Sequence, residues 1–333
     1  MTSIKDVARQ AGVSTATVSR VIANKGSFKA DTRDKVLNAI AQLNYRPNLI
    51  ARSLRVQTST KIGLVVSDIR NPFFTAIARA VEDAAYERGY SVLICNTDEN
   101  PEKEALYLDL MHDENVAGVI FSPTQQFSSS HTKDSQRGHI PFVVIDRAIS
   151  QDEYDLVQLD NHGAAYELTE HLLAQGYQKL AGLFGDSATG MARKQGFLAA
   201  LSAHGIAPFA TNVIAPRIEQ GYLSTQKLLE QSEQPDAILT SNSLLTAGAF
   251  QALRARSVRI PKEIGLAGFD ETTWGELVEP AITIIAQPTE EIGHTAIELL
   301  FARIAEPERA VRKVILSGSL RVHGSSTRQS GDY

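Results

Sequence analysis

From Lys61 to Leu316 the chain alternates short apolar runs with amphipathic stretches, and few folds accommodate that rhythm. Strand patterns fall at Ile62–Val66, Ser91–Cys95, Gly118–Phe121, Phe142–Ile145, Leu156–Leu159, Leu180–Phe184, Val213–Ile214, Ala237–Thr240, Gly265–Gly268 and Val314–Leu316. Between them, helical spacing recurs over Ala76–Arg88, Glu102–Asp113, Ala164–Gln175, Ala192–His204, Gly221–Glu230, Leu244–Arg254 and Glu290–Phe301. Parallel strands must be joined by a long crossover, usually a helix, so the pattern predicts an α/β body with parallel sheets. So long a stretch exceeds what one core usually supports, and two similar open sheets, hence two lobes, are expected. Ligands in such folds bind beyond the carboxyl ends of the strands, which points to the cleft between the lobes. The residues at those ends are Asp68 and Asn71 to Phe74, Asp146 and Arg147, Ser187 and Thr189, Asn242, and Asp270.

Residues 1–60 have a different texture. Ser3 is placed to cap a helix with Asp6 at its third position, and Ile4, Val7, Ala8 and Ala11 share one face. Gly12 breaks that helix. Ser14 is placed to cap a second one, whose apolar residues Val18, Val21 and Ile22 leave Thr15, Ala16, Thr17, Ser19 and Arg20 facing away. A third helix is expected over about Thr32–Leu43, with Val36, Leu37, Ile40 and Leu43 on one face, ending before Pro47. Small hydroxyls at a helix N-terminus suit phosphate and base-edge contact, and Arg20 can donate two hydrogen bonds to a guanine edge. Any two short helices can share a Gly-Val-Ser turn, so charge is the discriminating observation. Residues 1–60 hold ten Lys or Arg against three Asp and no Glu, a net of +7, which leaves −12 for the remainder of a chain of net charge −5. That asymmetry is the electrostatic footprint of a nucleic-acid-binding module joined to an acidic body. Residues 48–55, followed by the polar Gln57–Thr60, are too few to form a stable helix alone in water, and read as a hinge ordered only when something holds it.

Several classes are excluded. No apolar run approaches the roughly 20 residues that cross a bilayer. Asp6 and Arg9 stand where a secretory signal would be apolar, so a soluble cytoplasmic protein without membrane association is expected. Cys95, the single cysteine, lies in an apolar run and reads as a small buried hydrophobe. Gly185-Asp-Ser187 lacks a surrounding Gly-x-Ser-x-Gly, no phosphate loop or dinucleotide fingerprint is present, and the histidines show no metal-ligand spacing. No enzyme activity, cofactor or metal is expected. A transport-associated sugar-binding protein fits the body alone but conflicts with the basic leader. The tail after Leu320 has no apolar heptad that would zip dimers into tetramers, so a homodimer is expected.

Leader, hinge and strand ends together resemble the LacI/GalR family of bacterial transcription regulators over almost the whole chain. The resemblance is carried by Ile4-Lys-Asp-Val-Ala to Val13-Ser-Thr-Ala-Thr-Val-Ser-Arg20-Val, by Tyr45-Arg-Pro-Asn48 to Ala51-Arg-Ser-Leu54, and by Asp68-Ile-Arg-Asn-Pro-Phe-Phe74. Asp160-Asn161, Arg193 with Gly196-Phe197, Gly268-Phe-Asp270 and Gln287-Pro288 add to it. It implies a helix-turn-helix domain at 1–47, a hinge helix and linker at 48–60, and an effector-binding and dimerisation body at 61–333. Within the body it implies an N-lobe of about 61–160 and 289–320 and a C-lobe of about 161–288 and 321–333, like periplasmic binding proteins. A dimer would set one recognition helix in the major groove of each half of a pseudo-palindromic operator and paired hinge helices in the central minor groove.

Carried over residue by residue, Thr15 and Ala16 match positions that set operator choice, and Arg20 a contacting arginine. Lys5, Ser14, Thr17, Ser19, Asn24 and Arg55 complete the DNA-contacting set. Leu54 matches the wedge that unstacks a central base step, with Ala51 small enough for close approach. In the body, Phe73 and Phe74 match pocket-lining aromatics, with core packing as the alternative, and Trp274 is placed to stack on a sugar face. Asp146, Arg147, Ser187, Thr189, Arg193, Asn242 and Asp270 are the polar effector contacts, and a sugar-like effector follows. Ser187 stands where purine-sensing relatives carry an arginine, which argues against a nucleobase. Arg70 replaces a usually small residue; with Arg147 and Arg193 it would make the cleft positive and favour an aldonate or keto-aldonate, a neutral sugar being the alternative. The function implied is a repressor controlled allosterically by that effector.

Overall fold

The structure is a computed structural model that describes residues 2–22, 29–45, 59–124, 140–147 and 154–328. It divides into two compact units, Met1–Ser59 and Thr60–Tyr333.

The first unit contains α1 (Ile4–Ala11), α2 (Thr15–Ile22) and α3 (Ala30–Gln42). The Asp6 carboxylate accepts hydrogen bonds from the Ser3 backbone N–H at 2.9 Å and the Ser3 hydroxyl at 2.7 Å. Those bonds hold the Asp6 carboxyl below its ordinary pKa. Gly12, at φ 66°, ends α1 in the left-handed region that glycine enters without penalty. Ser14 Oγ then accepts from the Thr17 backbone N–H at 3.1 Å, as an N-cap should. Val7, Ala8, Ala11, Val18, Val21, Val36 and Ala39 form one small core. Leu37, expected on the packed face of the third helix, is 46% exposed. Val36, Ala39, Ile40 and Leu43 supply the buried stripe, and Leu37 lies about 100° of helix rotation away from Val36.

The second unit carries two six-stranded sheets. The first is built from β1 (Lys61–Val66), β2 (Ser91–Asn96), β3 (Gly118–Phe121), β4 (Phe142–Ile145), β5 (Asp155–Leu159) and β11 (Lys313–Leu316), in the order β11-β5-β4-β3-β1-β2, all parallel. Helices α4 (Pro72–Glu87), α5 (Pro101–Asp113) and α11 (Thr289–Ala305) flank it. Its main core packs Ile62, Leu64, Ile120, Val143 and Ile145 against Ile77, Val81, Ile297 and Leu300.

The second sheet comprises β6 (Leu180–Gly185), β7 (Ala210–Ile214), β8 (Ala237–Thr240), β9 (Gly265–Phe269), β10 (Thr283–Ala286) and β12 (Ser319–Arg321), in the order β12-β10-β9-β8-β6-β7. Among the described residues, only β12 runs antiparallel to its neighbour. Helices α6 (Asn161–Ala174), α7 (Ala188–Ala203), α8 (Ile218–Leu229), α9 (Ser243–Ala255) and the short α10 (Thr273–Leu277) accompany it. β10 and β12 have no counterpart among the expected strands. Each is three or four residues long and sits at or next to the edge, where periodicity carries little signal. Because β12 pairs with β10, the last crossing between lobes falls at residues 317–318, slightly before the expected boundary at 320.

Candidate functional site

On α2 the small core takes Val18 and Val21, so Ala16, Ser19 and Arg20 are exposed and Thr15 and Thr17 half-buried. Lys5 and Ser14 are exposed as well. The Ser14 and Thr17 hydroxyls lie 2.9 Å apart, and Arg20 Nε donates to the Ala16 carbonyl at 3.4 Å. An exposed face of small and hydroxyl side chains ending in an arginine meets the steric requirement for entering a major groove. Asn24, Ala51, Leu54 and Arg55 lie outside the described residues.

In the body, the carboxyl ends of the strands from both lobes converge on one cavity. Of the expected contacts it brings together Phe73, Phe74, Asp146, Arg147, Ser187, Thr189, Arg193, Asn242 and Asp270. Phe73 and Phe74 pack edge to face, 5.0 Å between ring centres, and are almost buried while forming part of the wall. Ser187 and Asn242 also cap α7 and α9, accepting from the Gly190 and Leu245 N–H groups. Asp146 and Asp270 follow β4 and β9 in matching fashion. Both have left-handed φ, 68° and 75°, and each N–H donates to the next strand, to Val157 O and Ile285 O. Such a conformation is unusual for a residue with a Cβ and turns each carboxylate inward.

Both guanidiniums of the cavity are held tightly. Arg193 Nε donates to Asn161 Oδ1 at 2.8 Å, Nη1 donates to the Ser241 carbonyl, and the guanidinium carbon stands 4.0 Å above the centre of the Phe269 ring. A Cβ on Gly196 would meet His162 O at 2.1 Å, so glycine there permits the close approach of α7 to α6 that seats Arg193. Burial lowers the Arg193 pKa against the pull of Asp270 and Asp146. Arg147 is bound by Glu99 and faces Asp146. Burial works against its charge, but Glu99 and Asp146 more than offset it and its pKa lies above the ordinary value. Burial pushes the Asp146 carboxyl upward despite Arg147 and Arg193. Asp270 accepts from the Ser243 N–H at 2.9 Å and from Gln287 Nε2 at 2.6 Å.

Two expected contacts stand elsewhere. Arg70 is 59% exposed and folds back on Asp68, with Nε and Nη2 each 2.9 Å from a carboxylate oxygen. Trp274 packs on Phe250, with ring centres 6.0 Å apart, and lines a smaller neighbouring cavity that shares Asp270 with the first. The anticipated positive excess is therefore corrected. Among the described residues, four carboxylates (Asp68, Glu99, Asp146, Asp270) and two guanidiniums (Arg147, Arg193) line the cavity. Sequence reasoning missed Ser67, Glu99 and Gln287 in this wall. Gln287 was within reach, since Gln287-Pro288 was among the matching motifs; nothing local marks Glu99.

Residues 59–321 match the family described as periplasmic binding proteins and sugar binding domain of LacI family, and residues 3–48 match bacterial regulatory proteins, lacI family. The chain belongs to the LacI family. It is 38% identical to the ribose operon repressor of Halalkalibacterium halodurans over 91% of each chain. It is 34% identical to the transcriptional repressor PurR of Histophilus somni, over 95% of this chain and 99% of that one. Among solved structures, the lac repressor dimer bound to operator and the anti-inducer ONPF superposes with a TM-score of 0.88 at 25% identity, over 98% of this chain and 99% of that one. These LacI-family relatives are repressors rather than enzymes. The chain is accordingly a DNA-binding transcriptional repressor with a periplasmic-binding-protein-like ligand domain.

Proposed function

We propose that this repressor senses a neutral, hydroxyl-rich sugar in the cavity between its lobes. The observation that carries the reading is the cavity's charge: paired guanidiniums outnumbered by carboxylates, beside the Phe73–Phe74 edge. Carboxylates accept from sugar hydroxyls, guanidinium forks donate to adjacent ones, and aromatic rings cover the apolar C–H face. A sugar acid would add a charge to a wall already rich in carboxylates. The similarity to a ribose operon repressor makes D-ribose the first compound to test. Ser187 and the absence of a further arginine beside it, among the described residues, argue against the purine class despite the similarity to PurR.

Occupancy of the cleft shifts the balance between two arrangements of the dimer, and through residues 48–60 changes operator affinity. Moving that balance from almost fully competent to almost fully incompetent requires about 5 kcal/mol of differential effector affinity, within reach of several hydrogen bonds. A second copy of the chain is required to read a pseudo-palindromic operator. Its seat on the first lobe is the exposed apolar pair Leu106 and Leu110, one turn apart on α5. This regulator acts in the cytoplasm, where its DNA is.

Calorimetric titration of the full chain with D-ribose, other neutral pentoses and hexoses, the matching aldonates, and purines tests the reading. Saturable binding of a neutral sugar that also changes the gel-shift affinity for operator DNA is expected. Binding confined to aldonates or to purines overturns it.

A further inference from the structure

Glu99 sits in the turn between β2 and α5, far in sequence from the arginine it meets. Arg147 Nη1 donates to Glu99 Oε2 at 2.8 Å and Nη2 to Glu99 Oε1 at 2.5 Å, so the two carboxylate oxygens occupy the forked end of the guanidinium. Nη1 also donates to the Pro123 carbonyl at 3.1 Å. Nε, 3.3 Å from Asp146 Oδ2, completes no hydrogen bond among the described residues. The Arg147 side chain is 8% exposed and that of Glu99 27%, and both line the effector cavity.

The turn that delivers Glu99 is itself unusual. Asp98 and Glu99 have φ of 53° and 58°, two successive non-glycine residues in the left-handed region. Surrounding bonds keep them there. The Glu99 N–H donates to Ser67 O at 3.0 Å, and Asp98 accepts from Lys103 Nζ and Asn96 Nδ2. An overdetermined backbone of this kind, next to a ligand cavity, aims a particular side chain.

We propose that Glu99 is a specificity-determining residue: its carboxylate fills the fork of Arg147 from within the protein, so the cleft rejects sugars bearing a carboxylate and accepts their uncharged counterparts. Of the two guanidinium edges that can form a bidentate pair with a carboxylate, Glu99 takes the Nη1/Nη2 end and the Nε edge is buried against Asp146. With Glu99 in place, an incoming anion meets a neutralised arginine and the other carboxylates of the wall. This inference rests on the neutral-sugar reading above.

The test is Glu99→Gln, which keeps the size and removes the charge, with Glu99→Asp as the charge-retaining control. The full chain and both variants, checked for folding by thermal melting, are titrated with the neutral aldose that binds most tightly in the panel above, D-ribose first, and with its aldonate. The readout is the ratio of the two affinities. Glu99→Gln is expected to shift that ratio toward the aldonate by roughly tenfold or more, the scale of a freed charge-assisted pair. Glu99→Asp is expected to hold the ratio near that of the natural chain. Should the glutamine variant not fold, Glu99→Ala supplies the same readout. A natural chain that binds a neutral sugar, with an unshifted ratio in the folded variant, overturns the role of Glu99 alone. A natural chain that binds no neutral sugar overturns both this inference and the reading beneath it.

Discussion

Replacing Arg193 by methionine removes a buried cation while keeping most of the side-chain stem. In the structure Arg193 is 4% exposed, satisfies Asn161 Oδ1 and the Ser241 carbonyl, covers the Phe269 ring, and counters the Asp146 and Asp270 carboxylates. Losing one partner of a buried charge group costs about 3–5 kcal/mol, because the buried carboxylates that remain have one compensating cation fewer. For a body of this size the main unfolding transition should fall by about 6–15 °C at pH 8. The pH dependence discriminates this cause from a simple packing loss. Burial already raises the Asp146 pKa, and without Arg193 it rises further. A carboxyl whose folded pKa lies above its unfolded value favours the folded state below the unfolded pKa, and loses that contribution as pH rises through the folded one. The gap between variant and natural chain should therefore narrow as pH is lowered from 8 to 5. Thermal unfolding of the full chain at several pH values is the assay. An unchanged transition, or a gap of constant size across that range, would refute the electrostatic account.

Leu54→Ala should weaken specific operator binding in gel-shift titrations while sparing much of the salt-sensitive, nonspecific affinity; equal operator affinity would contradict the wedge. Arg20→Ala, on the exposed face of α2, should cost about 1–3 kcal/mol of operator affinity and leave sugar binding by the body intact, as calorimetry would show. Leu106 is 62% exposed, and Leu106→Glu should convert dimer to monomer in sedimentation velocity without lowering the melting temperature of the body; a persistent dimer would place the partner's seat elsewhere.

Much of the reading unit was legible because its determinants are local. A cap at Ser14, a glycine at φ 66° and apolar residues at helical spacing act within one or two turns of chain. The strand ends of the body were legible for a similar reason, since a four-to-six-residue apolar run declares where a buried parallel strand stops. What the side chains at those ends face was not. Arg70 was expected in the cleft from its place in the Asp68–Phe74 motif, yet the nearest carboxylate, two residues away, holds it outside.

The sequence by itself determined two parallel α/β lobes, a basic three-helix leader, and a ring of polar residues at strand ends, because periodicity, capping and net charge are properties of neighbouring residues. Only the tertiary structure decided which charges meet. Glu99 meets Arg147, 48 positions further along the chain, β12 joins the second sheet through β10, and Trp274 settles on Phe250 beside the cavity rather than within it. Such pairings depend on how helices and strands cross over, which no short window of residues encodes.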